Sequence, residues 1–170
     1  MSESLRILIV DDEELARLRL RTLVGDCAEP PAQVVGEAAN AVPRSIGVPI
    51  HIDEGSDVPF RMSAENAAIV LSNLADNSAR HGATILELAA RAEGRETVIF
   101  ARDNGGGVSP GNRERIFEPF FTTRRDEGGT GMGLGIIAAL LKAHGGTIRL
   151  LDTERGAGFE MRLPGGGDRQ

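Results

Sequence analysis

The chain has 170 residues, of which 41% are hydrophobic and 26% charged, and its net charge is −6. This length accommodates one ordinary domain, or one domain and a fragment of another. A single cysteine, Cys27, excludes a disulfide framework and a cysteine-rich metal site. The acidic balance and the absence of Trp and Tyr argue against a nucleic-acid partner. No run approaches the roughly 20 apolar residues of a membrane span, and the N-terminus lacks a secretion signal, so we expect a cytoplasmic protein without a membrane segment.

The first 40 residues predict a strand, a helix and a second strand. Residues 5–10 are a nearly continuous apolar run, and acidic residues at 11–14 precede a leucine- and arginine-rich helical stretch. Residues 33–37, Gln-Val-Val-Gly-Glu, predict the second strand of a βαβ unit. This segment resembles the start of a response-regulator receiver domain of the LytTR type, which implies that Asp11 and Asp12 hold Mg²⁺. The alternative for both is a solvated helix N-terminus.

The receiver resemblance stops after this unit. Asp53 lies at roughly the right distance for the phospho-accepting aspartate of that family, but its neighbours fit poorly. We therefore interpret residues 1–41 as a receiver fragment and residues 42–47 as a junction, as in a natural or constructed chimera. Because a fragment has unpaired sheet edges, we expect it to extend the neighbouring sheet, to form a homodimer with a second copy, or to stay poorly ordered.

The remaining residues predict a second, complete domain. Residues 49–52 predict a strand, and Ser63 is placed to cap a helix over residues 64–80. Strands are predicted at 85–90 and 97–102, and helices at 112–118 and 132–144. Strands at 147–151 and 158–163 follow, and residues 165–170 read as a loose tail. This order predicts an α/β (α+β) two-layer sandwich.

Two motifs lie on or directly after a predicted helix or strand. Asn73 and Asn77 are four residues apart, so they share a helix face, where their amide oxygens could coordinate a hard cation. The alternative is two exposed polar residues. Asp103 directly follows a strand and precedes Gly105 to Gly107, where a ligand can approach the backbone closely and the carboxylate can accept a hydrogen bond from an amine.

Two further motifs follow in the chain. Phe117, Phe120 and Phe121 precede a polar run from Thr122 to Gly129, which predicts a partly buried aromatic plug and a flexible lid with cations. Nine of the 22 glycines lie between residues 105 and 135, and the last group opens a helix, where backbone N–H groups favour an anion. The P-loop is excluded because no Gly-Lys-Ser/Thr follows.

Taken together and in this order, the four motifs resemble the ATP-binding catalytic domain of sensor histidine kinases. This is the GHKL superfamily, with the Bergerat fold. Residues 73–81 match its asparagine box, 103–107 its first glycine box, 116–121 its phenylalanine box and 129–135 its second glycine box. The resemblance covers about residues 48–164 and implies that Asn77 ligates Mg²⁺ with the assistance of Asn73, and that Asp103 reads adenine. His81 approaches the phosphates or only caps the helix. The implied ATP contacts are Asn73, Asn77, Arg80, His81, Asp103, Gly105, Gly107, Val108, Phe120, Thr122, Thr123, Arg124, Gly129, Thr130, Gly131, Met132, Gly133 and Leu134.

The resemblance implies donation of the γ-phosphoryl group of Mg·ATP to a histidine of another domain in two-component signalling, with a response regulator downstream and ADP as product. Related ATPases carry Glu where Asn73 stands, and an amide cannot take a proton from water, so fast hydrolysis is disfavoured. No histidine lies on a long amphipathic helix, so we expect no autophosphorylation by the chain alone. A non-catalytic nucleotide-binding module and an anti-sigma-type serine kinase are the alternatives.

Overall fold

A computed structural model describes residues 32–45, 47–124 and 129–166. In chain order the elements are β1 (Ala32–Gln33), α1 (Val35–Asn40), β2 (Ile50–Ile52), β3 (Phe60–Arg61), α2 (Ala64–Arg80), β4 (Leu86–Glu93), β5 (Glu96–Asp103), a 3₁₀ turn (Pro110–Asn112), α3 (Gly133–Ala143), β6 (Thr147–Leu151) and β7 (Gly158–Pro164). None of the helices within these ranges is long and apolar enough to cross a membrane.

A five-stranded sheet forms one layer of the domain, in the order β2-β4-β5-β7-β6. Strand β2 is parallel to β4, and all other neighbours are antiparallel. Alternate residues of the strands point toward the helices, as the two-residue period of a strand requires. The buried inward residues are Leu86, Leu88 and Ala90 of β4, Ile99 and Ala101 of β5, and Phe159, Met161 and Leu163 of β7.

The helices form the second layer. Helix α2 starts where Ser63 Oγ accepts a hydrogen bond from Asn66 N at 3.3 Å, which satisfies one backbone donor of the first turn. Its buried stripe repeats every three or four residues, and α3 packs beside it through Ile137 and Leu141. The two-layer α/β sandwich, the cap and these two helices confirm the prediction from the sequence.

The strand predicted at residues 33–37 is wrong. Residues 35–40 form α1, and only residues 32 and 33 are extended, in β1, which pairs with β3. Val35 and Ala38 lie one helical turn apart and are 1% and 0% exposed in the same core as α2, so burial outweighs the local preference for a strand. The predicted receiver strand and helix at residues 5–25 lie outside the described residues.

The helix predicted at residues 112–118 is also wrong. This segment is a 3₁₀ turn at 110–112 followed by further turns. Pro119 disfavours helical geometry at the residue before it, and Phe120 has a φ of +64°, so the chain turns here instead of continuing a helix.

The first residues of the predicted tail are bound to the domain. Gly165 N donates to Arg95 O at 2.8 Å, and Gly166 N donates to Pro59 O at 2.7 Å. Residues 167–170 lie outside the described ranges.

Candidate functional site

A cavity of about 670 Å³ lies between α2, the turn after β5 and the start of α3. This volume is within the range of small-molecule sites. Most of the ATP contacts that the resemblance implied line this cavity. Those residues are Asn73, Asn77, Arg80, His81, Asp103, Gly107, Val108, Thr122, Thr123, Arg124, Gly129, Thr130, Gly131, Gly133 and Leu134.

Helix α2 presents a polar stripe to the cavity, made of Asn73, Asp76, Asn77 and Arg80. The Asn73 amide is held by its own helix, because Nδ2 donates to Ile69 O at 2.8 Å. Its Oδ1 consequently points away from that carbonyl, toward the start of α3, where a Cβ on Gly133 would lie 3.3 Å from it. The oxygen is therefore the atom that Asn73 offers to a ligand.

The charged members of the stripe form an ion pair. Arg80 Nε donates to Asp76 Oδ2 at 2.8 Å, and both side chains are 48% exposed. This hydrogen bond and the charge of Asp76 raise the pKa of the Arg80 guanidinium above its ordinary value. Asp76 was not predicted as a site residue, although it stands directly before Asn77.

Asp103 is held in place by three hydrogen bonds. Its Oδ1 accepts from Gly105 N at 2.9 Å and from Ala157 N at 3.0 Å, and its Oδ2 accepts from Ser78 Oγ at 3.0 Å. The residue is 8% exposed. Because a carboxylate has about four acceptor positions, one position on Oδ2 is left for a donor in the cavity.

Glycines let three chain segments meet around Asp103. A Cβ on Gly156 would lie 1.8 Å from Asp103 O, and one on Gly105 would lie 2.8 Å from His81 O. Gly105 thus supports Asp103 from behind instead of lining the cavity, although the resemblance implied that it contacts ATP. Gly107 does line the cavity, with a φ of +72° that favours glycine.

The other end of the cavity is built by the second glycine-rich segment. Gly129 N donates to Arg124 O at 2.9 Å, which holds this segment against the residue that follows Thr123. Gly131 has a φ of +67°, and a Cβ there would lie 2.5 Å from the Phe120 carbonyl carbon. Helix α3 begins without a side-chain cap, so its first N–H groups are available to an anion.

Two further predicted contacts, Phe120 and Met132, lie outside the cavity, as Gly105 does. Phe120 is 65% exposed and Met132 is 42% exposed. Phe121 lines the cavity instead, under the Arg115 guanidinium at 4.5 Å. Phe117 packs edge-on against Phe159 at 6.4 Å between ring centroids, and Phe121 also packs against the core, so two of the three phenylalanines of the predicted plug reach it.

His81 caps α2 and also lines the cavity, and its approach to phosphates stays a prediction. Its backbone oxygen accepts from Gly106 N at 3.0 Å. Arg125, a second cation of the predicted lid, lies outside the described residues.

Sequence reasoning missed several lining or supporting residues. Ser78 lies on the buried face of α2, and Ala157 belongs to a Gly-Ala-Gly run whose small side chains were the available signal of a close approach. The other lining residues not predicted are Asp76, Gly106, Ser109, Pro110, Asn112, Ile116 and Phe121.

A cation in this cavity would depend on neutral oxygens. Within the described ranges, no group of three or more His, Cys, Asp or Glu side chains is placed to hold a metal ion. The amide oxygens of Asn73 and Asn77 suit Mg²⁺, which keeps several waters and shares its remaining positions with substrate phosphates.

A family model for the "Histidine kinase-, DNA gyrase B-, and HSP90-like ATPase" matches residues 63–166, more than half of the chain. The chain belongs to this family, and its domain is the ATP-binding catalytic domain of histidine kinases of two-component sensors.

Curated relatives include the methanogenesis regulatory histidine kinase FilI of Methanothrix harundinacea, 34% identical over 147 residues, which covers 79% of this chain and 16% of the relative. The alginate biosynthesis sensor protein KinB of Pseudomonas aeruginosa is 34% identical over 122 residues, covering 69% of this chain and 20% of the relative. The chain thus spans a fifth or less of the length of these two relatives.

Solved structures share the fold. The catalytic domain of histidine kinase ThkA superimposes with a TM-score of 0.64 at 21% identity, covering 80% of this chain and 97% of that one. Full-length ShkA in complex with AMPPNP gives a TM-score of 0.62 at 22% identity, over 89% of this chain and 35% of that one.

Proposed function

We propose that the chain binds Mg·ATP in this cavity and donates the γ-phosphoryl group to a histidine on a separate acceptor domain. A response regulator would then receive the phosphoryl group, and ADP would leave the cavity. The observation that carries the proposal is one cavity with a fixed carboxylate, Asp103, at one end and amide oxygens and helix N–H groups at the other.

At the first end, Asp103 would recognise adenine. Its Oδ1 is already engaged by two backbone N–H groups, so Oδ2 is the atom left to accept a hydrogen bond from the exocyclic amine of adenine. Guanine carries a carbonyl at the equivalent ring position, and two acceptors would then face each other. The cavity should therefore prefer ATP to GTP.

At the other end, Asn77 would hold Mg²⁺ with the assistance of Asn73, and Gly131 and Gly133 would approach the β- and γ-phosphates. When bound, Mg²⁺ neutralises phosphate charge and fixes the orientation of the phosphate chain. Arg124 lines the cavity, and its planar guanidinium can contact a phosphate through two N–H groups. The chain's contribution is positioning and charge neutralisation.

Transfer to a protein is favoured over hydrolysis by the residue types on α2. The Asn73 amide donates to Ile69 O and cannot accept a proton from water. The three histidines of the chain are unsuited as acceptors: His51 lies in β2, His81 caps α2, and His144 is 5% exposed at the end of α3. We therefore expect the nucleophile to come from a partner.

Nucleotide binding is tested first, by calorimetric titration of ATP and GTP with and without Mg²⁺. Asp103→Asn should weaken ATP binding about 10- to 100-fold, as expected for loss of a hydrogen bond to a charged group. Asn77→Ala should remove most of the Mg²⁺ dependence, because it removes the amide oxygen that would ligate the ion, and the exposed Asn40→Ala is its matched control. Unchanged affinity in both site variants would overturn the site assignment.

Donation is tested next, by adding a separately expressed acceptor hairpin and γ-labelled ATP. We expect acid-labile label on the hairpin and none on the chain alone. Stable phosphohistidine on the isolated chain would contradict the need for a partner. Acid-stable label would indicate a serine kinase, and binding without transfer to any acceptor tried would indicate a non-catalytic module.

A further inference from the structure

The polar stripe of α2 carries an ion pair inside the cavity wall. Asp76 and Arg80 both line the cavity, and their bond at 2.8 Å joins residues one helical turn apart. An acid four residues before a base is the favourable orientation on a helix. In this structure the Nε of the cationic side chain of the stripe is therefore engaged by a carboxylate.

Arg80 can exchange its partner Asp76 for a group that binds a guanidinium more strongly. Both side chains are about half exposed, so water competes with the bond and the pair contributes little. A guanidinium gains more from a phosphate group, because the contact is charge-assisted and can form through two N–H groups at once. A phosphate chain in the cavity would thus compete successfully for Arg80.

Asp76 has the opposite relation to a phosphate chain. Its charge is compensated by Arg80 as long as the pair is intact. Once Arg80 turns to a phosphate, Asp76 is left as an anion in the wall of a cavity that holds several negative charges. The repulsion grows with the number of phosphates, because each adds charge at short range.

We propose that Asp76 and Arg80 form an exchangeable pair that sets how strongly the cavity distinguishes nucleotides by phosphate number. Arg80 leaves Asp76 for a phosphate, and Asp76 opposes tight binding of the triphosphate, so that it narrows the difference in affinity between ATP and ADP. This inference rests on the proposed function, since it requires ATP in this cavity.

The test compares Asp76→Asn with wild type in titrations of ATP, ADP and adenosine at low and at high salt. We expect Asp76→Asn to bind ATP about 3- to 10-fold more tightly at low salt, ADP with a smaller gain, and adenosine unchanged. The gain should shrink at high salt, because exposed charges are then screened. Glu93→Gln, which removes an ion-paired carboxylate on the other face of the sheet, should bind all three ligands like wild type.

Exchange is separated from simple repulsion by a double-mutant cycle. If Arg80 must leave Asp76, the gain from Asp76→Asn should be smaller in an Arg80→Gln background. An equal gain in both backgrounds would overturn the exchange.

Weaker Mg·ATP binding in Asp76→Asn would identify Asp76 as a cation ligand and overturn the proposal. Equal affinities in wild type and Asp76→Asn would also overturn it, while Asp103-dependent ATP binding would leave the proposed function intact. If wild type binds no ATP, both proposals fail.

Discussion

Glu160 should contribute pH-dependent stability to the sheet. It lies on β7 between Phe159 and Met161, which face the core, so its side chain lies on the opposite face of the sheet. It is nevertheless only 4% exposed, because two arginines cover it. Arg149 donates to Oε1 at 2.8 Å and to Oε2 at 2.7 Å, and Arg162 donates to Oε1 at 2.9 Å.

These hydrogen bonds, that from Arg149 first, lower the pKa of Glu160 from 4.5 to about 2, against the opposing effect of burial. A shift of this size corresponds to about 3 kcal/mol at most, at roughly 1.36 kcal/mol for each pKa unit. Arg149 is 65% exposed and Arg162 is 33% exposed, so solvent screens the pairs. We therefore expect about 1–2 kcal/mol.

The direction follows from the lowered pKa. A carboxyl group that is more acidic in the folded state stabilises the fold above its unfolded pKa, near 4.5, and this contribution is lost as the pH falls through about 2. Glu160→Gln should thus lower the free energy of unfolding at pH 7 by about 1–2 kcal/mol. The difference from wild type should decrease steadily between pH 4.5 and pH 2.

Urea denaturation followed by circular dichroism, repeated from pH 7 down to pH 2.5, measures this difference. The exposed Glu154→Gln is a control for the removal of one negative charge. A difference between Glu160→Gln and wild type that is the same at pH 7 and at pH 3 would refute the reasoning, because the contribution would then not depend on the charge of the carboxylate.

Three substitutions test the packing that positions the cavity, each by the free energy of unfolding in urea. Gly156→Ala should prevent the native fold or displace Asp103, since the new Cβ would lie 1.8 Å from Asp103 O. The control Gly94→Ala, at a φ of +62° with open space around it, should lower the free energy of unfolding by only about 1 kcal/mol. Equal losses in the two variants would contradict the close approach at Gly156. Ser63→Ala should cost about 1 kcal/mol by removing the cap of α2, and no loss would mean that water replaces it. Leu141→Ala should cost about 2–5 kcal/mol, because this side chain is 0% exposed, and a smaller loss would indicate that the core collapses onto the space.

Elements with a strong hydrophobic period were predictable from the sequence. The stripe of α2 and the β-branched run of β5 both lie where the sequence predicts them, with Ser63 as the cap. Segments whose local preference competes with burial were not predictable. Residues 33–37 favour a strand locally, yet the burial of Val35 and Ala38 against the helical layer makes residues 35–37 part of α1.

The residues of the candidate site were largely predictable, because the four motifs stand in one order and mostly meet in one cavity. The residues that hold Asp103 in place were not predictable. Ser78 reaches Asp103 across 25 residues of chain, and Ala157 reaches it across 54. A serine on the buried side of a helix has no distinctive signal in the sequence. Its hydroxyl donates to this carboxylate only because the end of β5 lies next to it in the fold.

The glycines around Asp103 show why such support leaves a weak trace in the sequence. Gly156 is needed because the backbone of Asp103 passes where a Cβ would be. Gly105 is needed because His81 O occupies the place of its Cβ. Each approach excludes a side chain without requiring any particular polar group, so the sequence records it only as one glycine among 22. By contrast, under the proposed function Asp103 and Asn77 would present specific atoms to a ligand, and they stand out by residue type. A glycine near a candidate carboxylate therefore indicates that two chain segments approach each other closely at that point. These close approaches fix the orientation of the carboxylate as much as its place in the sequence does.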